Sequence, residues 1–313
     1  MLVYRNVYDR YMIDLAAVRS LQAVDTEGSV VAAADALGFT PSAVSQQIKR
    51  LERQSGVPLL ERVGRGVVLT WHARQLVDAG THLLAEVERL ESGLHRAADS
   101  IVGQVRLAAF STAMRGIVAP VASRLVADHP DLTIRLVERE PWEAIDLVAT
   151  GQCDVALVHR WGHVSIDVPD HVERRTVGAD VADLIVHRDH RLAGRQVVTP
   201  HDLVDEDWIA TFDGTICRQW LVRMHDTTGR RPRIAHESME FESHLALVAA
   251  GLGVALIPRL GRATLGADVV AVGVADPVPT RELIVVHRRS MGDSPAVRAV
   301  IDALAECAAD TSG

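Results

Sequence analysis

Residues 36–56, ALGFTPSAVSQQIKRLERQSG, carry the punctuation of two helices meeting in a tight turn. Gly38 suits the C-terminus of one helix, Thr40 the N-cap of the next, and Pro41 its first helical position, where a missing N–H costs nothing. On a 3.6-residue wheel Val44, Ile48 and Leu51 share one face, while Ser42, Gln46, Lys49 and Arg53 lie opposite, flanked by Ser45. No carboxylate stands on that outer face, because Glu52 projects from the flank. Hydroxyl, amide and cationic groups presented together suit base edges and phosphates in a major groove. On spacing alone, a solvated helix in an ordinary bundle is an equally good account.

Upstream, Ser29 caps a helix running to Leu37 whose small Ala and Val residues permit close packing. Downstream, ERVGRGVVLT (61–70) fits a β-wing whose Arg62 and Arg65 reach phosphate or the minor groove. Helical patterning continues to about residue 95. From Gln104 the texture changes to VRLAAF (105–110), LTIRLVE (132–138) and DVALVH (154–159), separated by helical patterns near 117–128 and 142–150. That βαβαβ rhythm predicts a parallel sheet with right-handed crossovers. It repeats with ADLIVHR (182–188), RIAHE (233–237) and GVALIP (253–258), separated by helical patterns near 218–227 and 242–250, so two similar α/β lobes are expected. ELIVVH (282–287) and a helix opened by Asp293 or Ser294 close the chain, and interdomain segments fall near 100–103 and 160–169.

The whole chain bounds these readings. Its 313 residues, 48% hydrophobic, suffice for two or three globular units, and a net charge of -8 confines any nucleic-acid surface to a local patch. Cys153, Cys217 and Cys307 form no CxxC pair, which argues against a zinc site or a disulfide framework and fits a reducing compartment. No stretch approaches the ~18 apolar residues of a membrane span, and the N-terminus lacks an apolar leader, so a soluble cytoplasmic chain without a membrane partner is expected. His187 and His190 form an HxxH with no ligand set to complete a metal site and are read as surface histidines. No GxSxG elbow or complete GxGxxG fingerprint is present, so neither catalytic residues nor a cofactor are expected. An exported solute-binding protein would suit the two lobes but not the missing leader or the helix-turn-helix.

The run 28–70, GSVVAAADALGFTPSAVSQQIKRLERQSGVPLLERVGRGVVLT, closely resembles the winged helix-turn-helix of LysR-type transcriptional regulators. The matching positions are Ser29, Ala33, Ala34, Leu37, Thr40, Ala43, Val44, Ser45, Ile48, Leu51 and Glu52. GQVRLAAF, ADHPDLTIRLVE, GQCDVALVH, DHRLAG and GLGVALIP look like segments that recur in the family's second domain. Two departures are small: Ala73 stands where a Gly often follows Leu-Thr, and residues 1–11 precede the usual start, making Met12 an alternative initiator.

The resemblance implies an α/β chain with an all-α N-terminal part. It comprises a winged helix-turn-helix at 12–70, a linker helix at 71–99, and a two-lobed periplasmic-binding-protein-like α/β effector domain at 103–313. Lobe 1 is expected at about 103–163 and 270–313, and lobe 2 at about 164–269. The candidate DNA-binding set is Thr40, Pro41, Ser42, Ser45, Gln46, Lys49, Arg50, Arg53, Arg62 and Arg65. Implied partners are double-stranded DNA carrying an interrupted inverted repeat, a small-molecule effector, RNA polymerase, and further copies of the chain in a homodimer or homotetramer. Ala73, Leu76, Gly80, Leu83, Val87, Leu90 and Leu94 alternate at three and four, the pattern of a coiled-coil seam, and the resemblance assigns that stripe to a second subunit.

Ligands in open α/β sheets bind beyond the carboxyl ends of strands. Ser111 and Thr112 follow the first strand and Glu140 the second, Thr211 and Phe212 lie near the crossing into the second lobe, and Phe241 begins a helix there. These six form the candidate effector set, with helix capping by Ser111 or Thr112 as the alternative. Glu138, Glu140 and Glu242 nearby favour a ligand bearing an amine or several hydroxyls over a dicarboxylate, unless Arg115 or Arg139 reverses the balance.

Overall fold

The computed structural model describes residues 13–63, 66–97 and 100–311. Its N-terminal unit packs α1 (Leu15–Glu27), α2 (Val30–Leu37) and α3 (Pro41–Ser55) beneath a hairpin of β1 (Leu60–Val63) and β2 (Gly66–Leu69), which leads into the long α4 (Trp71–Ala97). Each short helix starts on a side-chain cap: Asp14 accepts from the Ala16 N–H, Ser29 from Ala32 and Thr40 from Ala43. Gly38 stops α2 at φ 69°, a left-handed conformation that glycine adopts without strain. Ala33 and Ala34 let the helices close on Leu21, Val44, Ile48, Leu51 and Leu59, all buried.

Glu52 acts as a brace within this unit. Its carboxylate accepts from the Leu59 N–H at 2.8 Å and the Leu60 N–H at 3.3 Å, fixing the chain between α3 and the hairpin. Glu52→Ala strips both donors of their partner. It should therefore cost the N-terminal unit about 1–3 kcal/mol in urea unfolding followed by circular dichroism. An unchanged midpoint would mean that water replaces the carboxylate without loss.

The stripe on α4 divides. Ala73, Leu76 and Gly80 pack on their own subunit, and a Val18 methyl fills the place that a Cβ at Gly80 would need. Leu83, Leu90 and Leu94 are 50%, 70% and 72% exposed, and Val87 is half-buried. The single intersubunit seam that the resemblance implies for this stripe is thus corrected for its first half. A helix of 3.6 residues per turn drifts against a 3.5-residue stripe, and α1 takes the part nearest to it.

The rest of the chain comprises β3 (Gly103–Ala109), α5 (Ser111–Ala113), a π turn (Met114–Val118), α6 (Ala119–Asp128), β4 (Leu132–Glu138), α7 (Pro141–Ala149) and β5 (Val155–Trp161). There follow β6 (Val172–His187), β7 (Val197–Val198), β8 (Asp207–Ala210), α8 (Ile216–Met224), β9 (Arg233–Glu237), α9 (Phe241–Ala249), β10 (Ala255–Pro258), β11 (Val269–Val274), β12 (Thr280–Arg288) and α10 (Pro295–Thr311). The main sheet runs β4-β3-β5-β12-β6-β11-β7, with β10 also on β6, and β8 pairs with β9.

This sheet is mixed, not parallel throughout as the rhythm predicts. β3, β4 and β5 are parallel, but β12 runs antiparallel to both β5 and β6. The reason is topological. β6 carries the chain out of the first lobe and β12 brings it back, so the two must run in opposite directions. The first part of β6 pairs with β12 and its last residues with β10 and β11, so this strand belongs to both lobes. Separate apolar clusters lie on the α6/α10 and α7 faces of the first lobe and on both faces of the second.

α4 is tied to the first lobe by buried charges. Arg288 donates from Nε to Glu88 at 3.0–3.1 Å and from Nη1 to the Val148 carbonyl at 2.7 Å, while the Ser290 hydroxyl donates to Glu88 at 2.6 Å. Asp154 joins Arg288 to Arg106 in the same network.

Candidate functional site

α3 presents the face that its sequence predicts. Val44, Ile48 and Leu51 are buried; Ser42, Gln46, Lys49, Arg50 and Arg53 are exposed, and Ser45 is half-buried beside them. Thr40 and Pro41 set the start of the helix, and the Thr40 hydroxyl, which accepts from the Ala43 N–H, also lies 3.0 Å from the Ser42 hydroxyl. Arg50 approaches Asp14 at 3.6 Å. Arg62 is exposed on β1, at the edge of the same unit. Arg65, placed on the same wing by sequence, lies outside the described residues, as does Met12.

The second site lies where the carboxyl ends of β3 and β5 face the second lobe. Ser111, Thr112, Glu140, Thr211 and Phe241 line one small chamber, with about 20 Å³ of room inside it, together with Arg281. Thr211 and Phe241 also line an adjoining chamber of similar room, about 20 Å³, walled by Trp161, Trp220 and Leu221. As closed, each leaves room for little more than one water. Phe212 is half exposed and lines neither chamber.

Neither Ser111 nor Thr112 caps a helix, since Phe110 holds the N-cap position without a side-chain bond. The Thr112 hydroxyl accepts from Arg281 Nη2 at 2.7 Å. Arg281 is 1% exposed, donates from Nε to Asp180 at 2.9 Å, and lies 5.0 Å from the Phe110 ring centre. It stands opposite Asp180 where β12 and β6 pass between the lobes. Sequence reading missed Arg281 because nothing local distinguishes it from a strand-edge arginine, while its partners sit 101 and 169 residues away.

His159, also unforeseen, is buried edge-on against Phe110 at 4.5 Å, and its Nδ1 has no hydrogen-bond partner among the described residues. Burial, reinforced by the nearby Arg281 charge, pushes its pKa well below the usual histidine range, so the ring is neutral. Burial pushes Glu140 upward, with Glu143 adding to the shift. Burial also pushes the Cys217 thiol up to about 12. The two arginines that the charge reading left open are committed elsewhere: Arg115 pairs with Glu242 at 2.9 Å, and Arg139 donates to the Glu138 carbonyl at 2.8 Å.

His187 and His190 are half-buried rather than at the surface, and their Nδ1 atoms accept from the Asp189 and Leu192 N–H groups. They brace a loop. Among the described residues no group of three or more His, Cys, Asp or Glu side chains is placed to hold a metal, and no helix is long and apolar enough to cross a membrane.

Two family models match the chain: "Bacterial regulatory helix-turn-helix protein, lysR family" over residues 15–74 and "LysR substrate binding domain" over residues 98–309. The regulator ShiR of Corynebacterium glutamicum is 30% identical over 228 residues, spanning 72% of this chain and 75% of its own. A probable hydrogen peroxide-inducible genes activator of Streptomyces viridosporus is 28% identical over 301 residues, 95% of each chain. A full-length OxyR variant from Pseudomonas aeruginosa shares the fold with a TM-score of 0.64 at 17% identity, over 94% of this chain and 95% of that one. CbnR solved with its target DNA does so with a TM-score of 0.54 at 20% identity, over 94% and 99%. The chain therefore belongs to the LysR family: it is a DNA-binding transcriptional regulator that carries a substrate-binding domain behind its helix-turn-helix.

Proposed function

We propose that α3 lies in the major groove, with Ser42, Ser45, Gln46 and Lys49 toward base edges and Arg50, Arg53 and the wing's Arg62 and Arg65 on phosphates. Thr40 and Pro41 fix the angle of the helix. The observation that carries this reading is the exposed face of α3, which holds hydroxyl, amide and cationic groups and no carboxylate, directly opposite its buried Val44, Ile48 and Leu51. In this reading, 12–70 reads DNA, 71–99 links, and 103–313 senses, its lobes divided near 164 and 270. The bare side of α4 at Leu83, Leu90 and Leu94 takes a second copy, so that the dimer or tetramer reads an interrupted inverted repeat. The chain acts in the cytoplasm, beside RNA polymerase.

The effector occupies the cleft at Ser111, Thr112, Glu140, Thr211 and Phe241, with Phe212 at its rim. It acts by binding one arrangement of lobes and linker better than the other, for without such a difference nothing shifts. The Glu88–Arg288 joint offers the path from the first lobe to α4. Relatives named for hydrogen peroxide raise a redox reading. Thiol chemistry needs an accessible thiolate, whereas burial pushes Cys217 up to about 12, Cys153 to about 11, and raises the third thiol, Cys307, as well. A bound small molecule is the better account.

Gln46→Ala should weaken operator binding by about 1–3 kcal/mol and leave random DNA almost unaffected. Arg53→Ala should weaken both alike and lower the salt slope by about one. Fluorescence anisotropy on the two duplexes separates these cases. Equal loss on both from Gln46→Ala would remove α3 from base reading.

A further inference from the structure

We propose that the cleft selects a ligand with a protonated amine head, held at Glu140, and an aromatic body seated against Trp161, Trp220 and Phe241. This rests on the reading of the cleft as the effector site and adds the chemistry of what it takes.

The charge balance points that way. Arg281 is the cation at the base of the polar chamber, and Asp180 already meets it through Nε at 2.9 Å and Nη2 at 2.7 Å. His159 is neutral. Glu242 is paired with Arg115 outside the chamber, and Glu138 is exposed and lines neither chamber. Glu140 remains. It lines the chamber, half-buried, with no hydrogen bond or ion pair to its carboxylate among the described residues; burial, then the Glu143 charge, raises its pKa, and the nearby Arg281 charge offsets this only in part, so the anion stays costly. A cation placed directly against it lowers the remaining cost.

The walls agree with a cation and an aromatic body. Aromatic faces attract cations, and this wall already holds one: the Arg281 guanidinium lies 5.0 Å from the Phe110 ring centre and 5.9 Å from that of Trp161. Trp161 and Trp220 stack at 6.0 Å and 24°, giving the second chamber a flat apolar wall. His159 Nδ1, Trp220 Nε1 and His244 Nδ1, all buried on residues that line the two chambers, lack hydrogen-bond partners among the described residues. Buried polar atoms are rarely left so in a finished site, and a ligand that parts the lobes brings water or its own polar atoms to them. The Ser111 hydroxyl, with no hydrogen bond among the described residues, stands ready for an oxygen on the ligand.

The test uses the full-length chain and matched probes: tryptamine and phenethylamine against indole-3-acetate and phenylacetate. At millimolar concentration the amines should raise the melting temperature by a few degrees, and phenethylamine, which carries no indole of its own, should quench tryptophan fluorescence; the acids should not raise the melting temperature and phenylacetate should not quench. Glu140→Gln, which keeps the shape, should weaken the amines by about tenfold or more. Stabilisation by the acids alone, by no probe, or by amines equally in Glu140→Gln overturns the proposal. Failure of the effector-site reading looks different: ligands drawn from a metabolite set would then still stabilise Ser111→Trp, in which the chamber is filled.

Discussion

A chain carrying Leu83→Asp and Leu90→Asp is expected to sediment as a single subunit and to bind its operator about a thousandfold more weakly, or worse. Both leucines are exposed in the lone chain, at 50% and 70%, so neither change disturbs the subunit's own core. The variant should keep the parent's helical circular dichroism spectrum, although its melt will be lower because it no longer gains stability from association. In the assembly, each aspartate would be buried against apolar neighbours without a partner, which a seam cannot absorb. The affinity loss follows from geometry: one subunit carries one α3 and makes half of the contacts to a paired site. An unchanged mass by analytical ultracentrifugation with full affinity would mean that this face of α4 is not where subunits meet.

Arg281→Met should cost the C-terminal domain about 3–5 kcal/mol in urea unfolding at neutral pH. The substitution leaves Asp180 charged beneath the cleft and the Thr112 hydroxyl without its donor. Combining it with Asp180→Asn removes the stranded charge while keeping an acceptor for the Leu260 N–H, which Asp180 holds at 3.0 Å. More than half of the lost stability should return, because breaking a buried pair costs far more than neutralising both partners. A loss below about 1 kcal/mol in the single variant would show that solvent reaches the pair.

The DNA-reading unit was legible because its signals are local. A cap at Thr40, a proline at the first turn, a stop at Gly38 and an apolar period act within a few residues of one another. The cleft was half legible. Strand ends located Ser111, Glu140, Thr211 and Phe241, but Phe212 turned outward, and the buried Arg281, Asp180 and His159 stayed hidden in stretches that read as ordinary strand. Their roles come from pairings between segments far apart in the chain, for which a single sequence holds no local sign. β6 shows the same limit. Its last residues, ADLIVH, announce a strand, whereas VERRTVGA at its start is polar and half exposed, and pairing with β12 makes it one. The α4 stripe misled for a different reason: apolar spacing counts buried positions without saying which neighbour buries them.

If α3, doubled by a second subunit, reads a specific paired sequence, the purified full-length chain must select that sequence from a pool of random duplexes. Sequencing of the retained DNA should show enrichment of an interrupted inverted repeat whose half-sites lie on one face of the duplex, about 34 Å or a multiple of it apart. With Gln46→Ala the enrichment should fall and the preference at the base positions it reads should relax. A pool that stays random after repeated rounds, or an enriched site that survives Gln46→Ala unchanged, would contradict this reading of α3.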